Sequence, residues 1–139
     1  MRHVFFAAVL FVTTVYAANA LPPDLVGIWA SDGSQFRGDA ILKGSALYLG
    51  ADGVGAMVGG DGDDVLGMRF VVTSYDPGTH TLKVDLTEGG KVVTSEVIVY
   101  DPKRQIIFSA KDPNQRYHRR SAQLSDEIRK AIGLEPKAH

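Results

Sequence analysis

Three histidines beyond residue 20 are the first groups to question for chemistry: His80, His118 and His139. No two stand at a His-x-x-x-His spacing, so one helical turn cannot bring two imidazoles to a metal. His80 sits among turn residues, His118 beside Arg119 and Arg120, and His139 ends the chain. No Gly-x-Ser-x-Gly marks a nucleophile turn, and no Gly-Lys-Ser marks a phosphate loop. Cysteine is absent, which removes thiol catalysis, thiolate-held zinc, disulfides and a thiol-linked lipid anchor. Carboxylates paired by folding stay open, because pairing in space is not readable from one chain. No catalytic residue is assigned, and a non-enzymatic protein is expected. The densest acidic run is Gly59 to Gly67, where Asp61, Asp63 and Asp64 cluster. They could offer hard oxygen ligands to calcium at weak, millimolar strength. Otherwise they form an acidic surface loop between two strands.

Residues 1–20 read as an address and not as structure. Arg2 and His3 form a short basic start, and Val4–Ala18 is apolar except for Thr13 and Thr14. Ala18-Asn19-Ala20 is a small-x-small cleavage site, followed by Leu21-Pro22-Pro23. This is the layout of a secretory signal peptide, with an apolar run too short for a comfortable membrane span. It predicts a secreted or periplasmic protein cleaved after Ala20, with no transmembrane segment in the mature chain. Residues 21–139 are enough for one domain and not two. The Pro-Pro step makes the new N-terminus stiff: either a rigid leader into the first strand or an extended arm for a partner.

Turn chemistry then sets the architecture. Asp76-Pro77-Gly78-Thr79, Glu88-Gly89-Gly90-Lys91, Asp101-Pro102-Lys103-Arg104 and Asp112-Pro113-Asn114-Gln115 recur every 11 to 13 residues. Between them strands are predicted at about 68–75, 80–88, 91–100, 105–111 and 116–121. Leu82, Val84 and Leu86 alternate with Lys83, Asp85 and Thr87, giving one buried and one wet face. In the next strand Val93, Val97 and Val99 are expected to point inward, with Glu96 outward. Earlier strands are expected at 25–30, 40–43, 46–49 and 54–58, with Gly44 a bend and Ala51-Asp52-Gly53 a hairpin. This reads as an all-β, up-and-down antiparallel barrel of about eight strands. A short amphipathic helix at about 125–132 follows, capped by Ser125 and stopped by Gly133. Leu124, Ile128, Ala131 and Ile132 would be its buried face.

Charge is uneven along the chain. Residues 21–102 carry 5 Lys/Arg against 12 Asp/Glu, and residues 103–139 carry 9 against 4. The plain reading is two solvated faces of one barrel. The sharper one is a patch for an anionic partner, built from Lys103, Arg104, Lys111 and Arg116, with Arg119 and Arg120 beside it. Nucleic acid is not expected for an exported chain of this modest charge.

Gly27-Ile28-Trp29 resembles the Gly-x-Trp that opens lipocalins and related calycin barrels. In that superfamily the Trp plugs one barrel end and an Arg of the last strand packs across it. Arg119 or Arg120 stands in the matching place, followed by a helix. The resemblance implies that Gly27, Trp29 and one of these arginines close the barrel. Ala46-Leu47-Tyr48-Leu49 with Asp52-Gly53 also looks like the early hairpin of small calycin-like domains. Gly59 to Gly67 is similar to the nonapeptide of calcium-binding RTX proteins, although neither flanking nonapeptide repeats it. The expected function is an exported binding module acting through surface loops on an envelope or extracellular protein. Alternatives are a carrier of a small apolar ligand or lipid, and an RTX-like calcium binder. No cofactor is expected beyond weak calcium.

Overall fold

The computed structural model describes residues 21–131. The expected leader and its cleavage site lie outside these residues, as does Ile132 of the expected tail helix. Nine strands follow in order: β1 (Gly27–Ser31), β2 (Gln35–Arg37), β3 (Ala40–Leu49), β4 (Val54–Asp61), β5 (Val65–Asp76), β6 (Thr81–Glu88), β7 (Lys91–Asp101), β8 (Ile106–Ser109) and β9 (Asp112–Ser121). The helix α1 (Asp126–Ala131) comes last.

Every ladder is antiparallel, and neighbours in space are neighbours in sequence from β3 to β9. β1 pairs with β9 on one side and with β3 on the other, which closes eight strands into a barrel. Closure leaves the ring without a full-length free edge. β2 lies outside the ring, paired with the first residues of β3. Gly44 joins the two halves of β3 at φ 106, where a side chain would strike Ser34. The two extended stretches expected on either side of Gly44 are therefore one strand, with the glycine's positive φ inside it.

Tight turns hold the ladders in register. The Gly89–Gly90 turn has both residues at positive φ, the twist that matches a two-residue hairpin. Asp76 Oδ1 accepts from Gly78 N at 2.8 Å, and Asp101 Oδ1 accepts from Lys103 N at 3.1 Å. The expected Asp112–Pro113 turn is different. The chain turns one step earlier, at Ala110–Lys111, and Asp112 already pairs with Ser109. An irregularity beside Phe108 absorbs the proline, which cannot donate to a regular ladder.

Two clusters make the core. The barrel interior holds Trp29, Leu47, Leu49, Phe70, Val72, Leu82, Val84, Leu86, Ile98, Tyr100, Ile107 and Tyr117. A second cluster covers the outside of the ring, where Ile128 of α1 packs with Ile28, Ile41, Ala46, Tyr48, Ala56 and Val58. Leu124 packs on it as well.

The inward face of β7 is opposite to expectation. Ile98 and Tyr100 are buried, whereas Val93 is exposed. Leu82 pairs with Ile98 and Val84 with Glu96, and directly opposed residues share a face. Glu96 therefore lies on the interior side, half-buried, and accepts from Ser109 Oγ at 3.1 Å. That partner removes the reason for sending the carboxylate outward. The ladder then skips Val93, since Leu86 pairs with Thr94 and Thr87 with Val92. This irregularity leaves the Val92–Val93 pair in solvent.

Candidate functional site

The turns β3–β4, β5–β6 and β7–β8 share one end of the barrel, and β4–β5, β6–β7 and β8–β9 share the other. The first end is closed. Its plug is the segment before β1: Leu21 and Leu25 are buried in the interior cluster. Leu21 N donates to Ala51 O at 3.1 Å, and Leu25 N donates to Pro22 O at 3.0 Å. Of the two readings of this segment, a rigid leader or an extended arm, the arm does not hold: it is a folded stopper leading into β1, because two leucines gain more from the barrel interior than from water.

Trp29 lies fully buried under this plug, and its Nε1 donates to Leu25 O at 3.0 Å. Tyr100 meets the indole edge-on at 6.0 Å. Arg119 pairs with Trp29 across the β1–β9 ladder, with its Cζ 5.9 Å from the ring centroid. Its Nη2 donates to Pro23 O at 2.6 Å and Val26 O at 2.5 Å. Arg120, one residue on, faces the opposite way by strand alternation. It stacks on Phe36 at 4.1 Å and donates to Gly38 O at 2.8 Å. Gly27 has φ 135, and a Cβ there would collide with the Ser121 carbonyl oxygen. Burial raises the pKa of Tyr75 at this end, with Tyr100, Asp24 and Asp76 adding to the rise. In the outer cluster burial likewise raises that of Tyr48, which donates to Asp39 O at 2.7 Å.

The histidines do not converge. His80 holds a turn at φ 55 and rests edge-on against Tyr100 at 6.1 Å. His118 meets Asp32 at 3.2 Å on the surface. His139 lies outside the described residues. The basic residues Lys103, Arg104, Lys111 and Arg116 are spread over the barrel. Lys103 and Arg104 lie in the β7–β8 turn at the closed end, where Arg104 pairs with Asp101 at 3.8 Å. Lys111 lies in the turn at the other end, and Arg116 on β9 beside Phe108.

The open end, or mouth, carries the acidic run. Most of Gly59–Gly67 is strand and not loop: β4 runs to Asp61, β5 begins at Val65, and only Gly62–Asp64 turn. Asp61 Oδ1 accepts from Asp63 N at 2.9 Å and Asp64 N at 2.8 Å. The Asp64 amide, then the Asp63 amide, hold the Asp61 carboxyl below its usual pKa. Among the described residues no three His, Asp or Glu side chains are grouped to hold a metal.

Beside these carboxylates in the chain stand Val65 and Leu66, and the next hairpin at this end carries two more exposed apolar residues, all missed by the sequence reading. Leu66 is 80% exposed, and Val65, Val92 and Val93 are each at least half exposed. They belong to the β4–β5 and β6–β7 hairpins that project at the mouth. The one signal in the sequence was Val92-Val93 just past the Gly89-Gly90-Lys91 turn, since adjacent strand residues cannot both point inward. Hydroxyls pair between the end of β1, β3 and β9: Ser45 Oγ bonds Tyr117 OH at 2.8 Å, and Ser31 Oγ bonds Ser34 Oγ at 2.9 Å.

Among the described residues the interior is packed with apolar side chains. The cavity among Leu47, Met57, Phe70, Leu82, Ile98 and Ile107 measures about 10 Å³. No helix among the described residues is long and apolar enough to cross a membrane. No family model matches the chain, and no curated protein or solved structure does either. The geometry of the barrel is compatible with a calycin-like fold.

Proposed function

We propose that this is an exported binding module of calycin-like architecture, acting through its mouth hairpins on an envelope or extracellular protein. The observation that carries the reading is the exposed Leu66 and Val65 next to Asp61, Asp63 and Asp64. An isolated exposed leucine is ordinary. Four exposed aliphatic residues on two hairpins at one barrel end are a candidate contact surface. The carboxylates select a partner whose apolar face is rimmed by Lys or Arg. The leader-like first twenty residues support export. The Gly27-x-Trp29 opening and the Arg119 clasp support the calycin-like reading.

The alternative, a carried apolar ligand, is favoured less by the interior. A carrier cavity needs roughly 300 Å³, and this one has about 10 Å³.

The test is affinity capture from the native envelope with wild-type protein, Leu66→Asp, and Val71→Asp as a control. Val71 is also exposed, on the outer face of β5 away from the hairpin tip. The expected result is one partner bound by wild type and Val71→Asp and lost with Leu66→Asp. Equal capture by all three would reject the mouth as the binding surface. Native mass spectrometry of the same material, finding a stoichiometric lipid, would move the reading to the carrier.

A further inference from the structure

Strand β7 outruns its neighbour. It spans Lys91–Asp101, whereas β8 pairs only with Ile98–Asp101. β6 covers the other edge of β7 from Lys91 to Val99. The stretch before Val97 therefore has one strand edge with no ladder partner among the described residues. Two hydrogen bonds fix which groups point there. Tyr100 N donates to His80 O at 2.8 Å on the β6 side, and Val97 O accepts from Ala110 N at 2.9 Å on the β8 side. Strand backbone groups alternate between edges, so the N–H and C=O of Ser95 face the open side. Val92 and Val93 follow toward the hairpin tip, 57% and 53% exposed. A cleft of about 270 Å³ opens at the root of this edge, where the β8–β9 turn leaves β7. Lys83, Asp85, Ser95, Glu96 and Lys111 are among its walls. Its carboxylates are engaged: Ser95 Oγ donates to Asp85 Oδ1 at 2.7 Å, and Ser109 Oγ to Glu96 Oε1 at 3.1 Å. Neither the Lys83 nor the Lys111 ammonium has a hydrogen bond or ion pair among the described residues.

A row of strand N–H and C=O groups is matched by another extended backbone, and β-branched residues beside it suit strand pairing. Lysine on an edge deters chance pairing, because an apolar strand laid there leaves the charge unanswered. A strand that brings a carboxylate removes that penalty, so the lysines choose among strands. We infer that the free edge of β7 takes an extended segment of the partner protein as an added antiparallel strand, with an acidic side chain of that segment in the cleft that holds Lys83 and Lys111. The added strand continues the line that β8 leaves at Ser109. It therefore runs from the cleft to the hairpin tip, and its acidic residue comes first. Its apolar residues then pass Val92 and Val93. The inference rests on the mouth reading for its partner, and adds the backbone contact by which that partner is held.

The probes are fluorescein-labelled peptides: Glu-Thr-Val-Thr-Val-Thr-Gly, the same with Lys in place of Glu, and the same with Pro in place of the middle Thr. Anisotropy gives the Kd, and amide shifts of the isotope-labelled protein give the place. The Glu peptide should bind and move the Val92, Val93 and Ser95 amides. The Lys peptide should bind weaker by about tenfold or more. The Pro peptide, which cannot complete the ladder, should not bind. Ser95→Pro removes an N–H that faces the open edge and leaves the β6 ladder bonds in place, so it should abolish binding with Trp29 emission unchanged. Lys83→Gln with Lys111→Gln should weaken the Glu peptide by about tenfold. If Ser95→Pro does not fold, the lysine variant decides, and an unchanged Kd there overturns the inference. No binding of the Glu peptide, or equal binding by a folded Ser95→Pro, would overturn it as well. A wild-type dimer in sedimentation that Ser95→Pro dissolves would overturn it in favour of a second copy on this edge. In the envelope capture described above, a partner lost with Leu66→Asp but kept with Ser95→Pro would overturn the added strand and leave the mouth reading intact. Equal capture by wild type and Leu66→Asp, with the Glu peptide still bound at β7, would remove the mouth reading and keep the edge.

Discussion

Arg119 and Trp29 are cross-strand partners, and the guanidinium that faces the indole also holds the two carbonyls of the N-terminal plug. One side chain thus ties the last strand, the first strand and the segment before it. Arg119→Ala should cost about 2 kcal/mol, from lost charge-assisted hydrogen bonds and the cation–π contact. Arg119→Met, which keeps the apolar stem, should recover only part of this. Trp29 is the one tryptophan of the chain, so urea unfolding read by its fluorescence reports on the site directly. An unchanged midpoint would mean that the plug does not depend on the clasp.

Gly27 cannot be replaced cheaply. Its φ of 135 and the approach of Ser121 O leave no room for a Cβ. Gly27→Ala should cost about 3 kcal/mol or more, as strain and clash add. Gly33→Ala is the comparison: φ is also positive there, at 78, but no atom stands near. It should cost about 1–2 kcal/mol. Equal midpoints for the two variants would contradict the collision.

The described turns of helix α1, Asp126–Ala131, are too short to persist alone, so Ile128 on the outer cluster has to hold them. Ile128→Ala should lower stability by about 2–4 kcal/mol. Truncation after Ser121 should lower it at least as much. A truncated chain that melts with wild type would show the helix to be undocked.

The Asp61 carboxylate orders the β4–β5 turn through the Asp64 and Asp63 amides. Its pKa is depressed in the folded state. The ordering is therefore complete above the ordinary carboxylate value, about 3.9, and lost as pH falls through the lower folded value. In an NMR titration the Asp63 and Asp64 amide shifts should move together, with a midpoint below about 3.9. A midpoint above that value would refute the assignment. Because Asp61 Oδ1 already serves two amides, added calcium in the millimolar range should shift the melting temperature by about 2 °C or less relative to chelator. A shift of ten degrees or so would require a metal site at this turn.

Local chemistry in the sequence determined the ring of antiparallel strands. Paired Gly at 89–90 and Asp before Pro at 76 and 101 force reversals at short spacing, and alternation in 82–87 marks a one-sided strand. The tail helix was readable for the same reason, from Ser125, its acidic first turn and its apolar stripe. What depends on the partner strand was not readable. β7 alone cannot say which face is inside: that was decided by the Leu82–Ile98 register and by Ser109, which makes Glu96 tolerable at the mouth. Asp112–Pro113 looked like a turn because the dipeptide favours one, yet the bulge beside Phe108 moved the reversal to Ala110–Lys111. The sequence narrowed the clasp to two arginines, and only strand alternation against β1 chose Arg119. The plug and the exposed Leu66 were decided last, by closure of the ring. Only a closed barrel has one end that can bury Leu21 and Leu25, and hairpins that outrun its other end and leave Leu66 in water.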